Sequence, residues 1–68
     1  MSDQNISVSI QLLTGEEVAR ILKISRAYAY RLMKQGDIPT IKMGRTIRVS
    51  YDNLLKFIQE NTAYVERN

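Results

Sequence analysis

Ser25 follows Thr14 so closely that only one short helix and a tight turn fit between two helix starts. Each residue carries a hydroxyl oxygen that accepts from a backbone N–H of the first helical turn, a donor the helix itself leaves unpaired. Thr14 is followed by Gly15, Glu16 and Glu17, so the Thr14 hydroxyl and the Glu17 carboxylate close a reciprocal capping box. Two carboxylates in the first turn also suit the positive end of the helix dipole. Neighbouring residues on a helix point about 100° apart, so Glu16 and Glu17 do not converge on one substrate atom. The first helix then runs to Leu22 or Lys23. Val18, Ile21 and Leu22 recur at helical spacing, with Ala19 beside them, as its apolar face. Ser25 starts a second helix over residues 26–35, and Gly36 supplies the left-handed position that ends it.

Two helices joined this tightly form a helix-turn-helix. On the second helix Ala29, Leu32 and Met33 share one side, Ala27, Arg31 and Lys34 lie opposite, and Tyr28 and Tyr30 stand on the flanks. Any surface helix has a polar face. Here that face carries Arg, Lys and Tyr, with no acid among residues 20–35. Over residues 20–48 the chain holds Arg20, Lys23, Arg26, Arg31, Lys34, Lys42, Arg45 and Arg48 against the single acid Asp37. This stretch is therefore +7 and the rest of the chain −4, within a net charge of +3. Such an asymmetry is the footprint of a polyanion partner.

Pro39 fixes its own φ and pushes Ile38 toward extended structure, ending the helical region. Residues 40–43 and 46–49 then flank Gly44-Arg45. Ile41, Met43, Ile47 and Val49 alternate with Lys42, Thr46 and Arg48, which predicts a β-hairpin with an apolar underside and a basic top. Glycine at the first central position suits a type II′ turn. Ser50 caps a last helix running from Tyr51 to about Asn61, with Leu54, Leu55 and Ile58, and Phe57 beside them, as its buried face and Asp52 in its first turn. Before the first helix, residues 6–12 alternate apolar and polar, as a half-buried strand does, although the polar residues before them equally suit a disordered tail. A strand there has a free edge that could pair with the hairpin or with another chain. The division is residues 1–13 as tail or short strand, 14–61 as one domain and 62–68 as a second tail. The fold class is α+β, mainly α: two helices, a β-hairpin wing and a C-terminal helix.

Several kinds of chemistry are excluded. The chain has no cysteine and no histidine, which removes disulfides, thiolate or imidazole zinc sites and Ser-His-Asp catalysis. Its three glycines are scattered, so no phosphate-cradling loop forms. Ser25 and Thr14 lack a base to activate them. The expectation is a non-enzyme without metal or cofactor. No apolar run reaches membrane-spanning length, and residues 1–13 have neither a basic n-region nor an apolar h-region. The expected compartment is the cytoplasm, beside the nucleoid.

A DNA reader needs a helix whose N-terminal half reaches base edges in the major groove. Here that half offers Arg26, Ala27, Tyr28, Tyr30 and Arg31. Arginine bonds guanine bidentately, and Ala27 is small enough to touch a thymine methyl. Ser25, the tyrosine hydroxyls and Lys34 suit phosphate oxygens. At the hairpin Arg45 can enter a narrow minor groove, with Lys42, Thr46 and Arg48 flanking it. The tyrosines could also suggest stacking on single-stranded bases, but Tyr28, Tyr30, Tyr51 and Tyr64 share no face in this arrangement.

Residues 13–58, LTGEEVARILKISRAYAYRLMKQGDIPTIKMGRTIRVSYDNLLKFI, closely resemble the excisionase-type, MerR-like winged helix-turn-helix family. The resemblance lies in T-x-x-E-V-A-x-x-L-x-I-S, then YRLM-x-x-G-x-I-P, then IKMGR and the following IRV. It covers about two thirds of the chain. It implies duplex DNA contacts from the second helix and the wing, carried here onto Ser25, Arg26, Tyr28, Tyr30, Arg31, Lys42, Arg45 and Arg48. It also implies a factor of a phage, plasmid or conjugative transposon. That factor is either an excisionase that bends DNA, self-associates on it and assists a tyrosine recombinase (an integrase), or a small transcriptional regulator. A protein-interaction module is the reading from another class. The chain stops soon after the last helix, without the long dimerisation helix and effector domain of the large MerR regulators, so ligand sensing is not expected. Ala29 stands where a larger aliphatic residue is common in the family.

Overall fold

The computed structural model describes residues 11–63. Three helices and a three-stranded antiparallel sheet follow the order β1 (Leu12–Leu13), α1 (Gly15–Leu22), α2 (Arg26–Gln35), β2 (Ile41–Met43), β3 (Thr46–Ser50) and α3 (Tyr51–Glu60). β3 lies between β1 and β2. This is the winged helix-turn-helix architecture expected from the sequence. Most of the alternating stretch 6–12 lies outside the described residues; its last residue, Leu12, opens β1.

Local chemistry sets each boundary. The Glu17 amide donates to Thr14 Oγ1 over 3.1 Å and the Thr14 amide to Glu17 Oε1 over 2.9 Å, which completes the capping box. Ser25 Oγ accepts from the Tyr28 amide at 3.1 Å, and Ser50 Oγ from the Asn53 amide at 3.1 Å. Gly36, at φ +87, ends α2. The turn between α1 and α2 comes from a residue the sequence did not mark. Lys23 adopts φ 60, ψ 46, and the Ile24 amide returns to the Ala19 carbonyl at 3.0 Å. A left-handed residue with a side chain costs about 1–2 kcal/mol, which the packing of α1 on α2 offsets.

The core consists of Val18, Ala19, Ala29, Leu32, Met33, Ile38, Val49 and Leu54, with Leu13, Leu22, Ile24, Ile47 and Phe57 partly buried around it. Ile38, read from sequence only as a helix terminator, is among the largest fully buried side chains. Full burial of each such aliphatic side chain is worth about 1.5–3 kcal/mol.

Three faces differ from the expectation. Ile21 is 46% exposed, so α1 buries Val18 and Ala19 and half-buries Leu22. Leu55 and Ile58 are also exposed, and α3 turns Leu54 and Phe57 inward instead. An apolar arc wider than the available core leaves one of its edges in solvent.

The third correction concerns the hairpin. Met43 pairs with Thr46, Lys42 with Ile47 and Ile41 with Arg48. Residues directly opposite in an antiparallel pair project from the same face. Lys42 therefore shares the inner face with Ile47 and buried Val49, while Ile41, Met43, Thr46 and Arg48 share the outer one. The expected apolar underside and basic top do not form, because a two-residue turn puts the strands' alternations out of step. Gly44 has φ +64 and Arg45 a negative φ, as a type II′ turn requires.

Candidate nucleic-acid interface

The outward side of α2 carries Ala27, Arg31 and Lys34, all exposed, opposite buried Ala29, Leu32 and Met33. Its flanks differ in what they face. Tyr28 borders a shallow depression with Phe57, Glu60 and Asn61, toward α3. Tyr30 borders a cleft of about 620 Å³ between α2 and the hairpin, together with Met33, Lys34, Thr40, Lys42 and Ile47. The tyrosines thus stand on opposite sides of the helix, as the sequence indicated.

The two arginines of α2 are held differently. The Arg31 guanidinium lies 5.6 Å from the centroid of the Tyr28 ring, within cation–π range. Arg26, at the unfavourable positive end of the helix, lies 3.5 Å from Glu16 of α1, and both side chains are largely exposed. Ser25 uses its oxygen as a cap and keeps its O–H for another acceptor.

On the hairpin, the exposed Arg45 occupies the tip, next to exposed Thr46. Lys42 stands on the cleft side, across from Lys34 of α2. Arg48 lies on the outer face and donates from Nη1 to the Ile47 carbonyl at 2.9 Å. The structure therefore joins Tyr30, Lys34 and Lys42 in one cleft and separates Arg48 from Lys42, which the sequence had placed on the same side. Thr40 lines the same cleft and Gly15 lies against the Tyr30 ring, and neither stands out in the sequence as a site residue. Thr40 carried no pattern, whereas Gly15 was visible as a glycine at a helix start that capping leaves unexplained.

Among the described residues no polar or charged side chain is buried, so every charge faces solvent or a partner. No helix there is long and apolar enough to cross a membrane.

Residues 12–62 match the family model described as a helix-turn-helix domain. The chain belongs to that family, a DNA-binding one. Similar proteins include a Mycobacterium tuberculosis protein named as a candidate DNA-binding protein. It is 44% identical over 39 residues, which are 57% of this chain and 50% of that protein. A candidate antitoxin of the same organism, VapB50, is 50% identical over 48 residues, 71% of this chain and 37% of its own length. An uncharacterised Bacillus subtilis protein, YvgK, is 41% identical over 44 residues, 65% of this chain and 14% of its own. The chain thus spans half or less of each of these relatives' length. No solved structure gives a significant match.

Proposed function

We propose that the protein is a non-enzymatic, sequence-specific binder of double-stranded DNA and an excisionase of a mobile element. In this reading it is a cytoplasmic, MerR-like winged helix that binds near recombination ends, bends the duplex and assists a tyrosine recombinase. Membership of the helix-turn-helix family supports the DNA part. The observation that carries it is the exposed side of α2, where Ala27, Arg31 and Lys34 point away from the core beside the cationic cleft. Arg31 and Arg26 address base edges; Ser25, Tyr28, Tyr30, Lys34 and Lys42 address phosphates; Arg45 and Thr46 meet the neighbouring minor groove. Arg48 lies on the outer face, apart from the cleft, with a guanidinium N–H already bonded to the Ile47 carbonyl, and makes the weakest of the hairpin's contacts.

The excision step rests on likeness to excisionases. Deleting the gene from its element and counting excised circles tests it, with a sharp fall expected. Unchanged excision in the presence of the cognate integrase removes this role and leaves DNA binding standing. Likeness to the candidate antitoxin supports a second reading, a small regulator that represses transcription through the same surface. That reading expects altered transcript levels and no change in excision.

A further inference from the structure

Gly15 is buried although it is the first residue of α1. A β-carbon there would lie 2.7 Å from both Cε1 and the hydroxyl oxygen of Tyr30, closer than any real contact of that kind. The missing side chain is thus a seat. The Tyr30 ring leaves α2, crosses to the start of α1 and rests on bare backbone. The ring also borders the cleft, which Lys34 of α2 and Lys42 of β2 line together with Thr40 and without any acid. A phenol that keeps two free χ angles loses rotamer entropy whenever a ligand orders it. One already seated loses less.

We propose that the side-chain-free face of Gly15 sets the orientation in which Tyr30 meets a bound duplex. Gly15 is the positioning residue: its bare backbone holds the ring so that the Tyr30 O–H meets a phosphate oxygen of the strand that Lys34 and Lys42 face. The two cations of the lining and the Tyr30 donor fit a phosphodiester. This inference rests on the DNA-binding reading and sharpens it, since it adds a positioning residue outside the contacting surface.

Backbone contacts are largely sequence-independent, so the probe is a mixed-sequence duplex of about 30 base pairs, titrated over a salt series. Lys34→Gln and Lys42→Gln should each flatten the log–log salt dependence by about 0.9, while Arg48→Gln changes it by less than half as much. Tyr30→Phe keeps the ring and loses the donor, and should weaken binding about tenfold. Gly15→Ala should weaken binding by a similar factor, because the ring end must swing away, and should add nothing further in a Tyr30→Phe background. Urea midpoints of all the variants distinguish displacement of the ring from loss of fold. If Gly15→Ala weakens binding equally with and without the Tyr30 hydroxyl, Gly15 acts through folding and the seat is wrong. Wild-type slopes in both lysine variants move the strand elsewhere while leaving DNA binding intact. A wild-type protein that binds no duplex overturns both readings.

Discussion

Glu16 holds Arg26 across the two helices, its Oε2 3.5 Å from the arginine Nε. The contact neutralises a cation at the end of α2 that a recognition helix directs toward DNA. An exposed pair of this kind is worth no more than about 1 kcal/mol, so DNA can draw Arg26 away at small cost. Glu16→Gln should therefore leave the urea midpoint nearly unchanged. It should tighten binding to duplex DNA by up to about fivefold, an effect that fades as salt rises. Weaker binding in a titration at low salt would mean that Glu16 orients Arg26 for its contact.

Arg31 combines the outward direction of α2 with support from the Tyr28 ring. Arg31→Ala should cost about 1–3 kcal/mol at a single base-pair position and relax the preference there. Lysine cannot restore a bidentate pair, so Arg31→Lys should recover general affinity without the preference. Binding-site selection from a random duplex library checks both, and an unaltered selected sequence in Arg31→Ala assigns base reading to another residue.

The parts of the fold that were legible in the sequence are those fixed by chemistry between near neighbours. Thr14 with Glu17, Ser25, Gly36 and Ser50 each mark a helix end through one hydrogen bond or one backbone conformation. Faces were harder. Leu54 and Leu55 are equally apolar, and only the width of the core decides that Leu54 goes in. The hairpin was misread although the information was present. A turn of Gly44 and Arg45 alone forces Met43 opposite Thr46, and that pairing sends Lys42 and Arg48 to different faces. The cleft follows from this register, so the candidate site was legible residue by residue on α2 but not as an assembled surface.

Lys23 is the described non-glycine residue with positive φ, at the turn between α1 and α2. Glycine there removes the steric penalty of the left-handed conformation, about 1–2 kcal/mol, and costs part of it back through a freer unfolded chain. Lys23→Gly should raise unfolding stability by about 0.5–1 kcal/mol, seen as a higher urea midpoint at constant slope. A lower midpoint would show that the Lys23 side chain itself supports the turn.

The two adjacent leucines of α3 offer a direct check on which face the helix buries. Leu54 is 1% exposed and belongs to the core, whereas Leu55 is 41% exposed. Leu54→Ala removes buried methyl groups and leaves a cavity, at a cost of about 2–5 kcal/mol. That is a large share of the stability available to a domain this small. Leu55→Ala gives up little buried area and gains helix propensity, so its change should stay within about 1 kcal/mol. Thermal melts of the two variants side by side should show Leu54→Ala unfolded or lowered by many degrees and Leu55→Ala near wild type. Equal losses would place Leu55 against a partner surface, and that cover should disappear on dilution if a second copy of the chain provides it.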